Sequence, residues 1–286
     1  DPAATVNCTG RYGFYSGYQP GCLQYGHGGP VDLRTALEYS CNIFFYDTGR
    51  RLGVDTFSAM ARQLGLANDT GVEITEAQGR LTWSSDENYQ AGLTLMAAIG
   101  QGNTAVTPLQ LADLAEEMQK RGNIGVAYTY NEPLIGHEFV RDCAAIVHAR
   151  GMKNVVVTNG SVQLEILEAL LPDIDAMNID LKGFTAAHYQ RLGGDLHTVQ
   201  EFIARAARST HVEVTTLIVP GENDTEEEMA AEAEWLASID PQIPLHVTRF
   251  FPHYRMQERA ATDIALIYRL REVASAYLPH VYVGNC

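Results

Sequence analysis

Basic residues are scarce. Lys and Arg number 20 against 35 Asp and Glu in 286 residues, a formal net charge of −15. That sign argues against a generic nucleic-acid or anionic-membrane surface, while leaving room for a local basic pocket. Long apolar runs are missing as well, since none reaches the roughly 18–20 residues that cross a bilayer. The cysteines Cys8, Cys22, Cys41, Cys143 and Cys286 show no CxxC or CxxxCxxC spacing. Cys8 and Cys22 are spaced to pair in an oxidising compartment, but unpaired buried thiols are the favoured reading. Residues 1–112 contain no lysine, which removes any lysine-activated nucleophile from that stretch. An initial Met and a signal-peptide pattern are also absent, so Asp1 reads as a fragment boundary or a processed end. The remaining composition, 46% hydrophobic and 19% charged, suits one large domain or two modest ones.

The most informative stretch runs from Asn123 to Asp180. Three β-rich runs there each end in a polar signature: Ile124–Tyr130 in Asn131-Glu132-Pro133, Val155–Val157 in Thr158-Asn159-Gly160, and Ala176–Ile179 in Asp180-Leu181-Lys182. Helical spacing fills Ile135–Arg150 and Val162–Leu171 between them. Strands alternating with helices predict a parallel sheet, whose chemistry gathers at the carboxyl ends of its strands. Further strands are expected from Val212, Leu245 and His280, and Thr225 with Glu226–Glu228 marks a helix start. Six strands predict an α/β fold, a complete or partial (β/α) barrel. Before them, Asp1–Gly29 reads as loop or irregular strand. Helices are expected at Val31–Leu37, around Phe44–Leu52, at Phe57–Leu64, at Ala91–Ile99 and from Thr107 to Gly122.

Residues 1–112 resemble the transpeptidase domain of penicillin-binding proteins. The resemblance rests on His27-Gly28, Ser40-Cys41-Asn42-Ile43-Phe44-Phe45-Tyr46, Leu52-Gly53-Val54-Asp55, Leu64-Gly65-Leu66, Thr70-Gly71-Val72, Glu76, Ile99-Gly100-Gln101-Gly102 and Val106-Thr107-Pro108-Leu109-Gln110-Leu111-Ala112. It implies that Ser40 and Asn42 stand at the Ser-x-Asn motif, where the Ser shares in proton transfer and the Asn holds the substrate amide. The accompanying Ser-x-x-Lys and Lys-Thr-Gly motifs are absent. A lone motif activates no nucleophile, so Ser40 and Asn42 are expected to cap a helix.

Residues 113–286 resemble the radical S-adenosylmethionine (SAM) superfamily, its glycyl-radical activating-enzyme branch, and within that the AmmeMemoRadiSam type. The matching residues are Gly122 to Pro133, Thr158-Asn159-Gly160, Asp175 to Gly183, Glu213-Val214-Thr215-Thr216, Pro220-Gly221 with Asn223-Asp224, Arg249-Phe250-Phe251-Pro252 and Tyr282 to Asn285. The resemblance implies a SAM pocket of Asn131, Glu132, Thr158, Asn159, Asp180, Lys182 and, more loosely, His253. Glu132 would meet the SAM ammonium and Lys182 its carboxylate. It also implies a [4Fe–4S] cluster on CxxxCxxC, which this sequence does not contain. Cys143 is expected in a core and Cys286 is at most a stray ligand.

The two resemblances meet between residues 106 and 122, and each is cut where its indispensable motif belongs. The chain is therefore read as a chimera: a transpeptidase-like fragment joined to a partial radical-SAM-type barrel lacking its first strand. The leading function is a radical SAM enzyme of the activating type, inactive without its cysteines, with SAM as small-molecule partner and a protein as the substrate to be activated. A D,D-transpeptidase fragment is the alternative, and an inert fused protein the third reading. The first implies a cytoplasmic setting and the second an extracytoplasmic one.

Overall fold

A computed structural model of the chain describes residues 3–22, 27, 29–72, 75–252 and 256–286. The chain divides into two compact units, Asp1–Glu117 and Met118–Cys286.

In the first unit, β1 (Val6–Asn7) pairs antiparallel with β2 (Pro30–Val31). The helices are α1 (Leu33–Glu38), α2 (Asn42–Leu52), α3 (Val54–Gln63), α4 (Ala91–Ala97) and α5 (Pro108–Gln119), the last running across the boundary between the units. Local chemistry sets the ends of these elements. Asp32 accepts the Thr35 N–H at 2.8 Å and starts α1. Gly53, at φ 80°, stops α2 in a conformation that a side chain disfavours. Gly49 lets α2 approach α4 closely, because a Cβ there would lie 2.4 Å from that of Ala98. The core gathers Cys8, Tyr12, Val31, Ala36, Cys41, Ile43, Phe44, Tyr46 and Leu95.

The second unit is a six-stranded, all-parallel sheet in sequence order: β3 (Gly125–Tyr128), β4 (Lys153–Thr158), β5 (Ala176–Asp180), β6 (His211–Ile218), β7 (Leu245–Arg249) and β8 (Val281–Gly284). The connecting helices are α6 (His137–Ala149), α7 (Leu164–Leu170), α8 (Ala186–Leu192), α9 (Leu196–Ala206), α10 (Glu226–Ile239) and α11 (Ile264–Ser275). The mixed α/β fold and partial (β/α) architecture expected from the alternation are present. Every strand anticipated from a β-rich run exists, and β3 and β8 form the sheet's edges among the described residues. Strand β3 is shorter than the Ile124–Tyr130 run, and Ile124 and Tyr130 at the ends of that run are both largely exposed. Thr225 caps α10 by accepting the Glu228 N–H, with three glutamates in its first turn. One side of β4 to β7 packs under the helices through Val156, Met177, Ile179, Val214, Ile218, Leu245 and Val247. Among the described residues no helix is long and apolar enough to cross a membrane.

Candidate functional site

The polar signatures after β3, β4 and β5 fall at the carboxyl ends of adjacent strands. The structure brings Asn131, Glu132, Thr158, Asn159, Asp180 and Lys182 around one hollow of about 240 Å³, with Thr129, Tyr130 and Val157 completing its lining. Register produces this convergence, since Thr158 stands beside Ile179 and places the residues that follow both strands together. Gly160, at φ 64°, turns the chain away where a Cβ would press on Ile179 and Phe202.

The hollow is held in a defined geometry. Glu132 Oε1 accepts the Thr158 hydroxyl at 2.7 Å and the Leu134 N–H at 3.1 Å, while Oε2 accepts the Asn159 N–H at 2.8 Å. A carboxylate has about four lone-pair sites, so one remains for a ligand donor. Lys182 Nζ pairs with Asp180 and keeps further hydrogens to donate. Its main chain is fixed from two sides, by the Tyr189 hydroxyl at 3.0 Å on its nitrogen and the Asn223 side-chain amide at 3.1 Å on its oxygen. An anchored carboxylate and an ion-paired ammonium thus face one cavity, an arrangement able to grip a zwitterionic amino-acid group by both ends.

His253, the remaining residue singled out for this pocket, lies outside the described residues. Ser40 and Asn42 do not cap a helix as expected. The N-cap of α2 is Cys41, without a side-chain cap hydrogen bond; Asn42 is the first helical residue, and Ser40 sits before it at φ 50°. The backbone turns at Ser40 so that the buried Cys41 enters the core, which takes the capping position from its polar neighbours. Cys143 is fully buried on α6, as its apolar neighbours suggested, and burial pushes its thiol above the usual range. Cys286 is exposed.

Sequence reasoning missed a second constellation. Cys8, Cys22, His27 and Cys41 each offer a ligand atom, all within 4.8 Å of one another. The thiols are free, and both buried ring nitrogens of His27 have no hydrogen-bond partner among the described residues. Burial raises the thiols of Cys8 and Cys41 above their ordinary range. Three sulfurs and one imidazole converging on a point match the donor set of a tetrahedral transition ion. Three of the ligands come from the long connection between β1 and β2 and the fourth from the turn between α1 and α2, with no motif spacing. The one available signal was that three of the five cysteines and a histidine fall between residues 8 and 41.

Comparison with known proteins gives two families. The profile of the penicillin-binding protein transpeptidase domain matches residues 5–164, and that of the radical SAM superfamily matches residues 97–236. An uncharacterized protein of Methanocaldococcus jannaschii is 36% identical over 164 residues, covering 56% of this chain and 49% of that protein. The peptidoglycan D,D-transpeptidase MrdA of Acinetobacter baumannii is 34% identical over 94 residues, covering 30% of this chain and 14% of that protein. A domain of the pyruvate-formate lyase-activating enzyme from Bacteroides vulgatus aligns with a TM-score of 0.49 at 20% identity, over 56% of this chain and 99% of that one. The chain thus spans about half the length of the first relative and a small part of the second.

Proposed function

We propose that the hollow at the ends of β3, β4 and β5 binds S-adenosylmethionine, in a chain that belongs to the penicillin-binding protein transpeptidase domain family and is similar over residues 97–236 to the radical SAM superfamily. The observation that carries this reading is the convergence of Glu132, Thr158, Asn159, Asp180 and Lys182 on one space. The donor set fits the amino-acid end of that molecule. The spare lone pair of Glu132 suits its ammonium, and the spare Nζ hydrogens of Lys182 suit its carboxylate. In the intact superfamily the bound group, with a [4Fe–4S] cluster, supplies a 5′-deoxyadenosyl radical.

The cysteines here do not fit that cluster. Cys143 is sealed in α6 and Cys286 is exposed beyond β8. Cys8, Cys22 and Cys41 crowd onto a single point, whereas cluster thiolates each take a different iron and stand farther apart. The hollow is therefore read as a binding site, and reductive cleavage is not assigned to it. Equilibrium dialysis of the full chain with labelled S-adenosylmethionine tests the reading. Saturable binding is expected, weakened about tenfold or more by Glu132→Gln and by Lys182→Ala, since each removes a charge-assisted contact of about 1.5–3 kcal/mol. Absence of saturable binding, or indifference to both substitutions, would overturn it.

A second reading concerns the unit Asp1–Glu117 and rests on its Cys8–Cys22–His27–Cys41 set. It holds one structural ion, zinc by donor type, and four protein ligands leave no open position for catalysis. Acylation at serine is not assigned to this unit, because Ser-x-x-Lys and Lys-Thr-Gly are absent from the sequence.

A further inference from the structure

Alternation along the strands puts one face of the sheet under the helices and leaves the other more open. In a parallel sheet both faces are usually aliphatic. Here the open face of β5 to β8 carries, besides Ala176 and Leu217, the polar Asn178, Glu213, Thr215, His246 and Thr248 and the ring of Tyr282. Register sets Asn178 beside Glu213, Asp180 and His246 on either side of Thr215, and Tyr282 beside His246. Hydrogen bonds join them into a row. Thr215 donates to Asn178 Oδ1 at 2.9 Å, and His246 Nε2 meets Glu213 Oε2 at 2.7 Å. His211 Nε2 meets the other oxygen, Oε1, at 3.2 Å. The Tyr282 ring stacks on His246 with centroids 5.5 Å apart and planes 29° apart.

The protonation pattern follows from these contacts. Partial burial opposes ionisation of Glu213, but the hydrogen bonds from His246 and His211 outweigh it and hold the carboxyl below its usual range. An ionised carboxylate only accepts, so Nε2 of His246 carries the hydrogen, and in the neutral imidazole Nδ1 then carries the lone pair. Among the described residues Nδ1 has no hydrogen-bond partner. A carboxylate fixing one nitrogen, a ring stacked on the imidazole plane and a free basic nitrogen opposite make up an oriented general base.

We propose that Glu213 and His246 form a proton-accepting dyad on the open face of the sheet, which takes a small polar substrate presenting an N–H or O–H group to His246 Nδ1. In that step the substrate N–H or O–H bond breaks and its electron pair stays on the substrate atom. An N–H bond forms at Nδ1, and the Glu213 carboxylate, which remains ionised, offsets the imidazolium charge. His246 is the catalytic residue and Glu213 positions it. Asp180 belongs both to this row and to the hollow of Glu132 and Lys182, so the dyad supplies a substrate side next to that hollow. The inference deepens the S-adenosylmethionine reading and borrows only its location; the test reads the dyad alone, so its failure leaves that reading standing.

The full chain is treated with diethylpyrocarbonate at pH 8 and each histidine's modification rate is followed by peptide mapping. His246, with 30% of its side chain exposed, is expected to react at least as fast as His197, which is 75% exposed. Glu213→Gln is expected to slow His246 about three- to tenfold and leave His197 unchanged. Long-range ¹H–¹⁵N correlation on the unmutated chain is expected to show His246 as the Nε2–H tautomer. This reading decides the matter even if the variant fails to fold. Slower reaction at His246 than at His197, indifference to Glu213→Gln, or an Nδ1–H tautomer would each overturn the dyad.

Discussion

Glu232 is a glutamate on the inward side of α10, wholly buried, with the Thr216 hydroxyl of β6 donating to it. Burial, with the Glu228 charge adding to it, pushes its carboxyl up to about 8 from an ordinary 4.5, against the lowering effect of the Thr216 contact. The folded chain therefore keeps a proton between those values that the unfolded chain has lost. Stability must fall as pH rises across that window, by up to about 1.4 kcal/mol per pH unit, and level off above it. Glu232→Gln keeps the shape and removes the titration. Its urea midpoint is expected to decline less than that of the parent between pH 5.5 and 8; parallel declines would refute the assignment. Cys41 shows the same physics with the opposite remedy. Buried thiols resist ionisation, so a cation that binds thiolates supplies what burial withholds and displaces protons in doing so. Purified chain is expected to carry about one zinc ion by elemental analysis. Chelation or Cys41→Ser is expected to lower the melting temperature, and a metal-free chain that melts unchanged with added zinc would refute the site.

Strand β4 shows how an element is held from inside. Asn154 is fully buried within an otherwise valine-rich run, where its Oδ1 accepts the Tyr128 hydroxyl and its amide donates to the carbonyls of Ala144 and Asp173. One side chain thus links β3, α6 and the turn after α7. Asn154→Ala removes three hydrogen bonds that tie these elements together and is expected to cost about 2–4 kcal/mol in urea unfolding. The neighbouring Lys153→Ala breaks a 2.6 Å pair with Asp175 that lies in solvent, and is expected to cost under about 1 kcal/mol. Equal costs would refute this account. The strand itself was legible because Val155–Val157 is β-branched and bounded by polar residues, and α10 was legible from Thr225 and the glutamates behind it. The part played by Asn154 was not, since its partners lie in other elements. The same limit hid the turn at Ser40, where core packing of Cys41 overrides the local capping preference, and the row from Asn178 to Tyr282, whose members meet only through register.

At the scale of the whole molecule each unit holds part of an apparatus. Unit Met118–Cys286 has the carboxylate and ammonium to grip a zwitterion, but its two cysteines sit where no shared cluster can form. Unit Asp1–Glu117 has Ser40 and Asn42 but no lysine to take a proton from a serine. Binding and turnover should therefore separate. With dithionite and S-adenosylmethionine, after iron and sulfide reconstitution under anaerobic conditions, the chain is expected to bind S-adenosylmethionine and form no 5′-deoxyadenosine. Fluorescent penicillin is expected to leave no covalent label after denaturing electrophoresis. The two assays fail for different reasons, one for lack of an iron-bound partner and the other for lack of a base. Either positive result would thus locate the missing group: 5′-deoxyadenosine would require thiolates to rearrange into a cluster, and a labelled serine would require an amine-free route to its activation.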